Sequence, residues 1–399
     1  MTSRDLSEAL TPAPPGRWSR VLRSPAGLVG LGVLLLMVVA CVGSLPWTLG
    51  AAAGDVPRYK AGSLDAYLLP PDWAAHRADE SARRSQFAAT ETAAARRAPS
   101  FPLGSDKLGR DLFTRCLAGG GVSIGIGLAA ATISVGIGVL WGSIAGAVGG
   151  RVDALMMRIV DVLYGLPYIL LVVLLAVAGE AVLDNVVSRH GARDAWMLER
   201  ARELAAAQSR PADPPSLRAW MRSDQAVQAE LSRAADQVPE LRARELNEGE
   251  RTVYEVGVLL LAVGGVSWLT MSRVIRGQVL SLKSQPFMEA ARAMGVPAWR
   301  QFVRHLLPNL AAPIIVYATL TVPQAILQES FLSFLGIGVK PPLPSWGNLA
   351  AEGLAELNPV RVRWWLLVFP CVLLAVTLLA LNFVGESLRE AFDPRSRRR

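Results

Sequence analysis

Two carboxylic acids are the residues best placed to do chemistry in this 399-residue chain, because both lie in or beside long apolar runs. Asp161 stands near the start of one run, and Glu329 follows the end of another. A carboxylate within a bilayer is costly, so membrane proteins that keep one commonly use it to move protons or ions. These two acids would therefore suit a proton-coupled transporter. The alternative is that each lies near the end of its run, where it is hydrated or paired.

A serine in a G-x-S-x-G pattern, at residues 121–125, is the next candidate. The pattern is typical of hydrolase nucleophiles, but such a serine needs a base beside it. The three histidines, His76, His190 and His305, all lie outside the uncharged runs. Glycines at this spacing also let membrane helices approach one another closely, and we interpret the pattern in that way.

Phosphate and metal chemistry find little support in the sequence. There is no Gly-Lys pair, and therefore no G-x-x-x-x-G-K-[ST] loop of the kind that cradles nucleotide phosphates. We do not expect the chain to hydrolyse ATP itself. Its cysteines, Cys41, Cys116 and Cys371, form neither a metal-ligand spacing nor a disulfide framework, and we interpret them as buried free thiols. We expect no catalytic residue, no metal and no cofactor bound by this chain.

Composition favours a membrane protein. Hydrophobic residues make up 52% of the chain and charged residues only 19%, which is apolar for a soluble protein of this length. The net charge of +8 could indicate a nucleic-acid partner. The arginines, however, cluster beside the apolar runs, as they do at the cytoplasmic ends of membrane spans. We therefore expect a lipid membrane, and no nucleic acid, as the partner of these charges.

Six apolar runs, each uncharged except for Asp161 in the third, predict six transmembrane helices in an all-α polytopic protein. The third run contains Gly165, Leu166 and Pro167, which predict a kink. The first run could instead be a secretory signal that ends at Cys41, but the later runs make an uncleaved first span the simpler interpretation. The predicted spans are 26–45, 119–148, 159–179, 256–272, 311–328 and 364–385.

An even number of spans places both termini on one side of the membrane. The arginines of both tails and of the short connections fall on that side, which is then cytoplasmic by the positive-inside rule. We expect a short basic turn at 151–158 and a solvated loop with some helix at 50–100. The predicted organisation is a cytoplasmic tail (1–25), a first span (26–49), an extracytoplasmic loop (50–117), spans two and three (118–180), an extracytoplasmic helical insertion (181–254), spans four to six with a cytoplasmic loop at 273–310 (255–385), and a basic cytoplasmic tail (386–399).

The insertion at 181–254 carries charges of nearly balanced sign and no run that could cross a bilayer. Residues 192–209 and 216–237 are predicted to form a helical hairpin. An apolar stripe on the second helix motivates the hypothesis that the insertion contacts a partner protein. The alternative is a solvated insertion without a role in the protein's function. The stripe consists of Leu217, Trp220, Met221, Val227 and Leu231.

Residues 285–309 lie between the fourth and fifth runs, yet their pattern predicts two short helices. Pro286 suits the first turn of a helix, and Gly295 stands where a left-handed residue would end it. Pro297 starts a second helix, which Pro308 is expected to end. On pattern alone, the segment could be an amphipathic helix that lies on the lipid headgroups. The apolar faces would be Phe287, Ala290, Ala291 and Met294, then Trp299, Phe302, Val303 and Leu306.

The same segment resembles the EAA loop in permease subunits of bacterial ABC importers. Two further stretches, GSDKLGRD at 104–111 and SFLGIGV with PPLPSWGN at 333–348, are similar to the dipeptide, oligopeptide and nickel branch of these permeases. Residues 50–99 and 181–254 have no counterpart in this resemblance. The residues that carry the likeness to the EAA loop are Glu289, Ala290, Ala291, Gly295 and the run from Arg304 to Asn309, with His305 and Pro308.

The resemblance implies a type I ABC importer permease fold and half of a translocation pore for peptides, with nickel or another small solute as the alternative cargo. It also implies a bacterial inner-membrane complex with a second homologous permease, two cytoplasmic ABC ATPases that hydrolyse ATP, and an extracytoplasmic substrate-binding protein. A secondary transporter would have no need for the EAA loop. The resemblance implies that this loop docks into a groove on an ATPase through Phe287, Glu289, Ala290, Ala291, Met294, Gly295, His305 and Pro308.

Overall fold

The computed structural model describes residues 24–51, 56–95, 100–208, 211, 213–238, 248–358 and 361–392. Within these ranges most of the backbone is helical, and the β-structure consists of isolated β-bridges. The predicted all-α class is therefore confirmed. The predictions for the N-terminal tail up to residue 23, and for the basic tail from residue 393 onward, lie outside the described residues.

The helices are numbered in chain order, and a π-helical turn, Phe302–Leu306, joins α11 to α12. They are α1 (Pro25–Cys41), α2 (Leu45–Thr48), α3 (Ala78–Ala95), α4 (Leu112–Val148), α5 (Gly150–Tyr164), α6 (Tyr168–Ala207), α7 (Pro214–Ser223), α8 (Gln225–Gln237), α9 (Glu248–Lys283), α10 (Pro286–Ala293), α11 (Ala298–Gln301), α12 (Leu307–Phe334), α13 (Trp346–Ala355) and α14 (Trp365–Phe392).

Among the described residues, five helical segments are long and apolar enough to cross a membrane. They are α1 with α2, α4, α9, α11 with α12, and α14. A sixth is formed by α5 and the first part of α6, which are bent by 89° at the break between them. The six predicted spans are therefore present when this broken pair is counted as one span.

The third span differs from the single kinked helix that the sequence predicts. The chain does break at Gly165, Leu166 and Pro167, but the bend of 89° makes two separate helices rather than one. Proline favours such a break because it lacks an N–H and its ring crowds the preceding turn.

The predicted basic turn at 151–158 is wrong, because these residues are part of helix α5. The turn lies just before them, at Gly149 and Gly150, whose φ angles are 74° and 59°. Glycine adopts positive φ without the steric penalty of a side chain. The turn between α4 and α5 is therefore made by these two glycines and not by residues 151–158.

The other spans extend beyond their uncharged runs. Helix α9 has 36 residues, although the sequence predicts a span only at 256–272. Helix α4 begins at Leu112 instead of residue 119, and α12 continues to Phe334. Charged residues such as Arg273 and Lys283 lie on the same continuous helix as the apolar run. An uncharged run therefore locates the apolar part of a helix, but the helix itself can begin before the run and end after it.

Glycines bring α4 against its neighbours. A Cβ atom on Gly127 would lie 2.1 Å from Ile326 Cγ1 of α12, and one on Gly142 would lie 2.3 Å from the Ser272 carbonyl oxygen of α9. There is no room for a side chain at either position. In the G-x-S-x-G pattern, a Cβ atom on Gly121 would likewise lie 2.8 Å from the side chain of Leu45. The interpretation as helix-packing residues is confirmed for Gly121, whereas a Cβ atom on Gly125 would meet nothing within 4 Å.

The segment before α4 is folded, and the expectation of a solvated loop is wrong. Ala66, Leu69, Phe87 and Phe101 form one buried cluster. A second cluster joins the segment to α4, α13 and α14. The apolar residues of the segment before α4 are scattered between turns and show no helical or strand period, so the sequence alone did not predict their burial. The second cluster consists of Leu68, Leu112, Cys116, Leu349, Trp365 and Leu366.

A buried ion cluster fixes this folded segment to α4 and α13. Arg115, which is 1% exposed, donates hydrogen bonds to Asp106 Oδ2 (2.6 Å) and to Glu352 Oε2 (2.7 Å) and Oε1 (3.1 Å). Arg110 Nε donates to Asp106 Oδ2 at 2.7 Å. Asp106 and Arg110 belong to the stretch 104–111. Charges buried in this way need such partners, so the stretch has a structural role.

Residues Leu174–Val258 form a compact unit of their own. Helix α6 passes the predicted start of the insertion without a break, and the predicted second helix is interrupted at Asp224. The Asp224 side chain accepts hydrogen bonds from the N–H groups of Ala226 and Val227 and so caps α8. At the base of the unit, a Cβ atom on Gly179 of α6 would lie 2.2 Å from Val258 Cγ1 of α9.

The apolar stripe of the insertion is the core of this unit. Leu217 and Leu231 are each 1% exposed, and Trp220 is 8% exposed. Met221 and Val227 pack at the margin of the same cluster. The stripe therefore stabilises the unit itself and no longer motivates the hypothesis of a contact with a partner. The cluster consists of Met197, Ala201, Ala205, Leu217, Trp220, Leu231 and Ala235.

Candidate functional site

The segment 285–309 is fixed at its start by Lys283, the last residue of α9. The Lys283 ammonium donates hydrogen bonds to the carbonyl oxygens of Gly146 (3.1 Å) and Ala147 (2.7 Å), in the last turn of α4. A cation at this place satisfies unpaired carbonyls and interacts favourably with the helix dipole. Arg292 of α10 in turn donates to the Lys283 carbonyl. The start of the segment is thus fixed to both α4 and α9.

Helix α10 has the two ends that the sequence predicts, with Pro286 in its first turn. Gly295 has a φ of 72°. The Gly295 N–H donates to the Arg292 carbonyl (3.0 Å), and the Val296 N–H donates to the Ala291 carbonyl (3.1 Å). This pair of bonds is a Schellman motif. A Cβ atom at position 295 would meet nothing within 4 Å, so the backbone conformation, and not space, requires glycine.

The expectation that Pro308 ends the second helix is wrong. Helix α11 follows Pro297, passes through the π-helical turn and continues into α12 without a break. Pro308 lies in the first turn of α12. The wider π turn gives room to a proline ring that would otherwise clash with the carbonyl four residues earlier. His305 is half-buried in this turn, and its carbonyl accepts a hydrogen bond from Asn309 Nδ2 (2.7 Å).

The predicted apolar face of α10 is only partly correct, because its residues lie on two sides of the helix. Ala291, which is 2% exposed, lies on the inner side with Met288, which is 1% exposed and was not predicted for this face. Phe287 and Met294, which are 40% and 75% exposed, lie on the outer side with exposed Ala290. Ala291 is thus a packing residue, and only Ala290 leaves the helix backbone open to close approach. The cluster that buries Met288 contains Met271, Ile275, Val279, Leu306 and Leu310.

The outer side of α10 continues onto the next helix as an exposed apolar surface. Trp299 is 75% exposed and Val303 is 41% exposed. Large apolar side chains exposed together in this way mark a surface that another molecule or a bilayer covers. We name the set the 287–303 surface, and it consists of Phe287, Ala290, Met294, Trp299 and Val303.

Glu289 lies on α10 next to this surface and is exposed. Its carboxylate makes no ion pair or side-chain hydrogen bond with any residue that the structure describes, and it does not cap the helix. The nearby arginines Arg300 and Arg304 are also exposed. The apolar surface therefore has charges of both signs at its edge, as protein interfaces commonly do.

Asp161 is paired, and its side chain is exposed. It accepts a hydrogen bond from Arg273 Nη2 at 2.8 Å, and its side chain is 59% exposed. The Arg273 guanidinium also lies 4.1 Å from the centre of the Tyr164 ring, in a cation–π contact. The ion pair joins α5 to α9.

Glu329 is paired but not hydrated, because it is fully buried. Its carboxyl oxygens accept hydrogen bonds from Ser333 Oγ (2.7 Å) and Ser330 Oγ (3.2 Å). The hydroxyl groups of Ser123 and Ser345 also lie next to this carboxyl group. Ser123, the serine of the G-x-S-x-G pattern, is therefore part of a serine shell around a carboxyl group.

Sequence analysis missed a polar cavity of about 410 Å³ beside the break in the third span. Two glutamines of α12, Gln324 and Gln328, stand four residues apart and so share one helix face. This spacing of amide side chains within an apolar run was the signal that could have indicated the cavity. The polar side chains in its lining are Tyr164, Tyr168, Ser267, Thr270, Gln324 and Gln328.

Comparison with known proteins identifies the family. The profile described as "binding-protein-dependent transport system inner membrane component" matches residues 138–398, which include the whole 285–309 segment. The chain belongs to this family. The permease is thus a multi-pass protein of the inner membrane, as its apolar helices indicate.

The permease is also similar to curated transport proteins. It is 34% identical over 296 residues to the dipeptide transport system permease protein DppC of Bacillus subtilis, which covers 74% of this chain and 69% of the relative. It is 34% identical over 295 residues to the oligopeptide transport system permease protein OppC of Haemophilus influenzae, with coverages of 74% and 70%. It is 35% identical over 297 residues to OppC of Escherichia coli, with coverages of 74% and 72%. These similarities confirm the resemblance to the peptide branch.

Proposed function

We propose that the permease forms half of the translocation pore of an ATP-driven ABC importer for peptides. The observation that carries the proposal is the 287–303 surface, which is apolar, exposed and placed on a helix fixed to the membrane-spanning helices. The names of the relatives, which are dipeptide and oligopeptide permeases, support peptides as the cargo. Nickel or another small solute is the alternative cargo of the same machinery.

The proposed complex contains a second homologous permease, two cytoplasmic ABC ATPases and an extracytoplasmic substrate-binding protein. In it, the ATPases hydrolyse ATP and this chain binds no cofactor. The 287–303 surface occupies a groove on one ATPase, with Phe287, Met294 and Trp299 as the large apolar contacts. Buried aromatic and methionine side chains dominate the energetics of many interfaces. Glu289 pairs with a basic group at the edge of the groove.

Movement of the ATPase groove would reach the membrane by three routes. Met288, on the inner face of α10, packs on α9 and α12. Lys283 ties the start of the segment to the end of α4. The π turn joins α11 to α12 in one continuous helical path. Packed helices resist deformation and move as units, so closure of the ATPase dimer would tilt α4, α9 and α12 together.

The proposal includes a topology in which both termini and the 285–309 segment are cytoplasmic. The segment 50–117 and the insertion 181–254 are then extracytoplasmic. This orientation follows the positive-inside rule for the short connections. It also brings the 287–303 surface to the side of the membrane where ATP is available.

A proton-coupled secondary transporter is the second candidate, and it would rely on Asp161 and Glu329. Asp161 is neutralised by Arg273, and Glu329 is surrounded by serine hydroxyls. Such contacts suit acids that hold helices together. This observation favours the ATP-driven importer.

Reconstitution tests the proposal. The permease is assembled with its partner permease, ATPases and binding protein in proteoliposomes, and uptake of a labelled peptide is measured with ATP and with a proton gradient. We expect uptake to require ATP and the binding protein, to resist a protonophore, and to survive Asp161→Asn. Uptake that follows the proton gradient without ATP would refute the proposal in favour of the secondary transporter.

A further inference from the structure

The cavity beside the break in the third span has the size of a small-molecule site. It lies between the end of α5, the start of α6, and the facing sides of α9 and α12, and its volume is about 410 Å³. Cavities that bind small ligands have volumes of roughly 300–1,000 Å³. Apolar side chains, including Leu163, Leu166, Val266 and Leu269, complete the lining.

A hydrogen-bonded group fixes one wall of the cavity. The Tyr168 hydroxyl donates to Gln328 Oε1 at 2.6 Å and lies 2.7 Å from Ser267 Oγ. Ser267 Oγ donates to the Val263 carbonyl at 2.9 Å. Because Gln328 Oε1 is the acceptor, its amide nitrogen keeps two N–H donors, and these have no partner among the described residues. The wall therefore presents oriented donors to the cavity.

The glutamines are placed on an apolar helix where a polar group has a cost. Gln324 is exposed and Gln328 is half-buried, and both lie in the α11–α12 segment, which is apolar enough to cross a membrane. Thr321, three residues before Gln324, lies on the same face. Polar residues in membrane helices usually face a water-filled cavity or the interior of a bundle. This face of α12 is therefore suited to an aqueous path and not to lipid.

The break in the third span is further evidence that this cavity binds a ligand. Helix α6 starts at Tyr168, in the cavity lining, so its first N–H groups have no intrahelical acceptor. Broken helices at membrane depth are tolerated where the freed backbone groups line a cavity. In many transporters such half-helix ends form the substrate site.

The chemistry of the lining selects the class of ligand. The polar side chains are two amides, two aliphatic hydroxyls and phenol groups, and no lining residue is charged. A carboxamide offers one acceptor and two donors, which match the N–H and C=O of a peptide bond. Nickel is better held by imidazole and other strong ligands, which this lining lacks. A path for peptides of varied sequence needs contacts to the main chain that they share.

We propose that this cavity is a transit site for the main chain of the transported peptide, bound by Gln324, Gln328 and the Tyr168–Ser267 pair. The inference rests on the proposed function and adds to it the part of the pore that contacts the cargo. Hydrogen bonds to the amide groups of the peptide orient it in the site. The site does not discriminate between different peptide side chains.

The test separates transport from ATP hydrolysis in the reconstituted complex. Gln324→Leu, Gln328→Leu and the double variant are compared with Gln278→Leu, a control on an exposed part of α9 outside the cavity lining. The probes are tritiated alanine peptides from dialanine to pentaalanine. We expect uptake per ATP hydrolysed to fall about fivefold for each single variant, and further for the double variant, since each loses one hydrogen-bonding group. ATP hydrolysis stimulated by the binding protein should stay at the wild-type level.

The possible outcomes are distinct. A double variant with the wild-type ratio of uptake to hydrolysis would overturn the transit site while leaving the importer intact. A parallel fall in uptake and stimulated hydrolysis would also overturn it, because the glutamines would then serve assembly or coupling. Gln324 is exposed, and its side chain makes no hydrogen bond with any residue that the structure describes, so its single variant remains informative if Gln328→Leu fails to fold. If the wild-type complex takes up none of the peptides, the proposed peptide importer itself is refuted.

Discussion

Replacing Gly295 isolates the role of the turn that ends α10. Gly295→Leu and Gly295→Asn introduce side chains with the same number of heavy atoms and the same branching at Cγ, and neither would meet another atom within 4 Å at the Cβ position. The two variants differ in the backbone conformations that they tolerate. Asparagine adopts the left-handed region far more readily than leucine does, and the native φ is 72°.

The expected cost follows from that conformation. A left-handed backbone costs a residue with an ordinary side chain about 1–2 kcal/mol. An energy of this size changes the ratio of two states about 5- to 30-fold. In Gly295→Leu, the alternative state loses the Schellman hydrogen bonds at Arg292 and Ala291. The 287–303 surface then divides, because Met294 and Trp299 no longer hold their relative positions.

The assay is the affinity of the reconstituted permease pair for its ATPases, measured by titrating ATPase against peptide-stimulated ATP hydrolysis. We expect Gly295→Leu to weaken assembly by about 5- to 30-fold, and Gly295→Asn to remain close to wild type. Membrane insertion should be unchanged, since the turn lies outside the apolar runs. Equal behaviour of the two variants would refute the conformational reasoning, and normal coupling in both would remove the turn from the docking element.

Three further predictions concern topology, the buried ion cluster and the insertion. In a cysteine-free background, an impermeant maleimide added to intact cells should label Ser216→Cys and not Ser284→Cys; labelling of residue 284 would reverse the proposed orientation. Arg115→Met removes the centre of the buried ion cluster and should destabilise the detergent-solubilised protein by about 3–5 kcal/mol. The control Arg361→Met breaks an exposed ion pair and should lower the stability by at most about 1 kcal/mol. Similar melting temperatures for the two variants would contradict the cluster's role. Replacing residues 185–251 with a short Gly/Ser linker should leave co-purification with the ATPases intact. The reason is that α6 and α9 already meet at Gly179 and Val258, outside the deletion, and that the deleted core is self-contained. Loss of co-purification would give the insertion a role in assembly.

The parts of the fold that the sequence predicted well are those determined by local chemistry. Proline at the start of α10 and glycine at its end locate that helix because each residue has a backbone preference that acts without neighbours. The apolar runs locate the spans for a similar reason, since a bilayer requires a minimum length. The break at residues 165–167 was also visible in the sequence, but the size of its bend was not.

The failures concern contacts between distant residues. Ala291 could not be separated from Ala290 by periodicity, because its burial depends on which side of α10 faces the rest of the protein. Glu329 is buried through hydroxyl groups that include Ser123, which is far from it in the sequence. The stripe on Leu217 and Leu231 could equally have faced a partner, and only the fold assigns it to an internal core. Pro308 was misplaced because a π turn has no reliable sequence signal.

Site-specific photo-crosslinking tests the central claim most directly. A benzophenone amino acid placed at Met294 is irradiated in the assembled complex, with the exposed Leu354 of α13 as the control position. If the 287–303 surface binds the ATPase, the probe at residue 294 will form an adduct with that subunit, the yield will change with nucleotide, and the probe at 354 will form none. Adducts only with lipid at residue 294, independent of nucleotide, would contradict the claim and identify α10 as a helix that lies on the membrane surface.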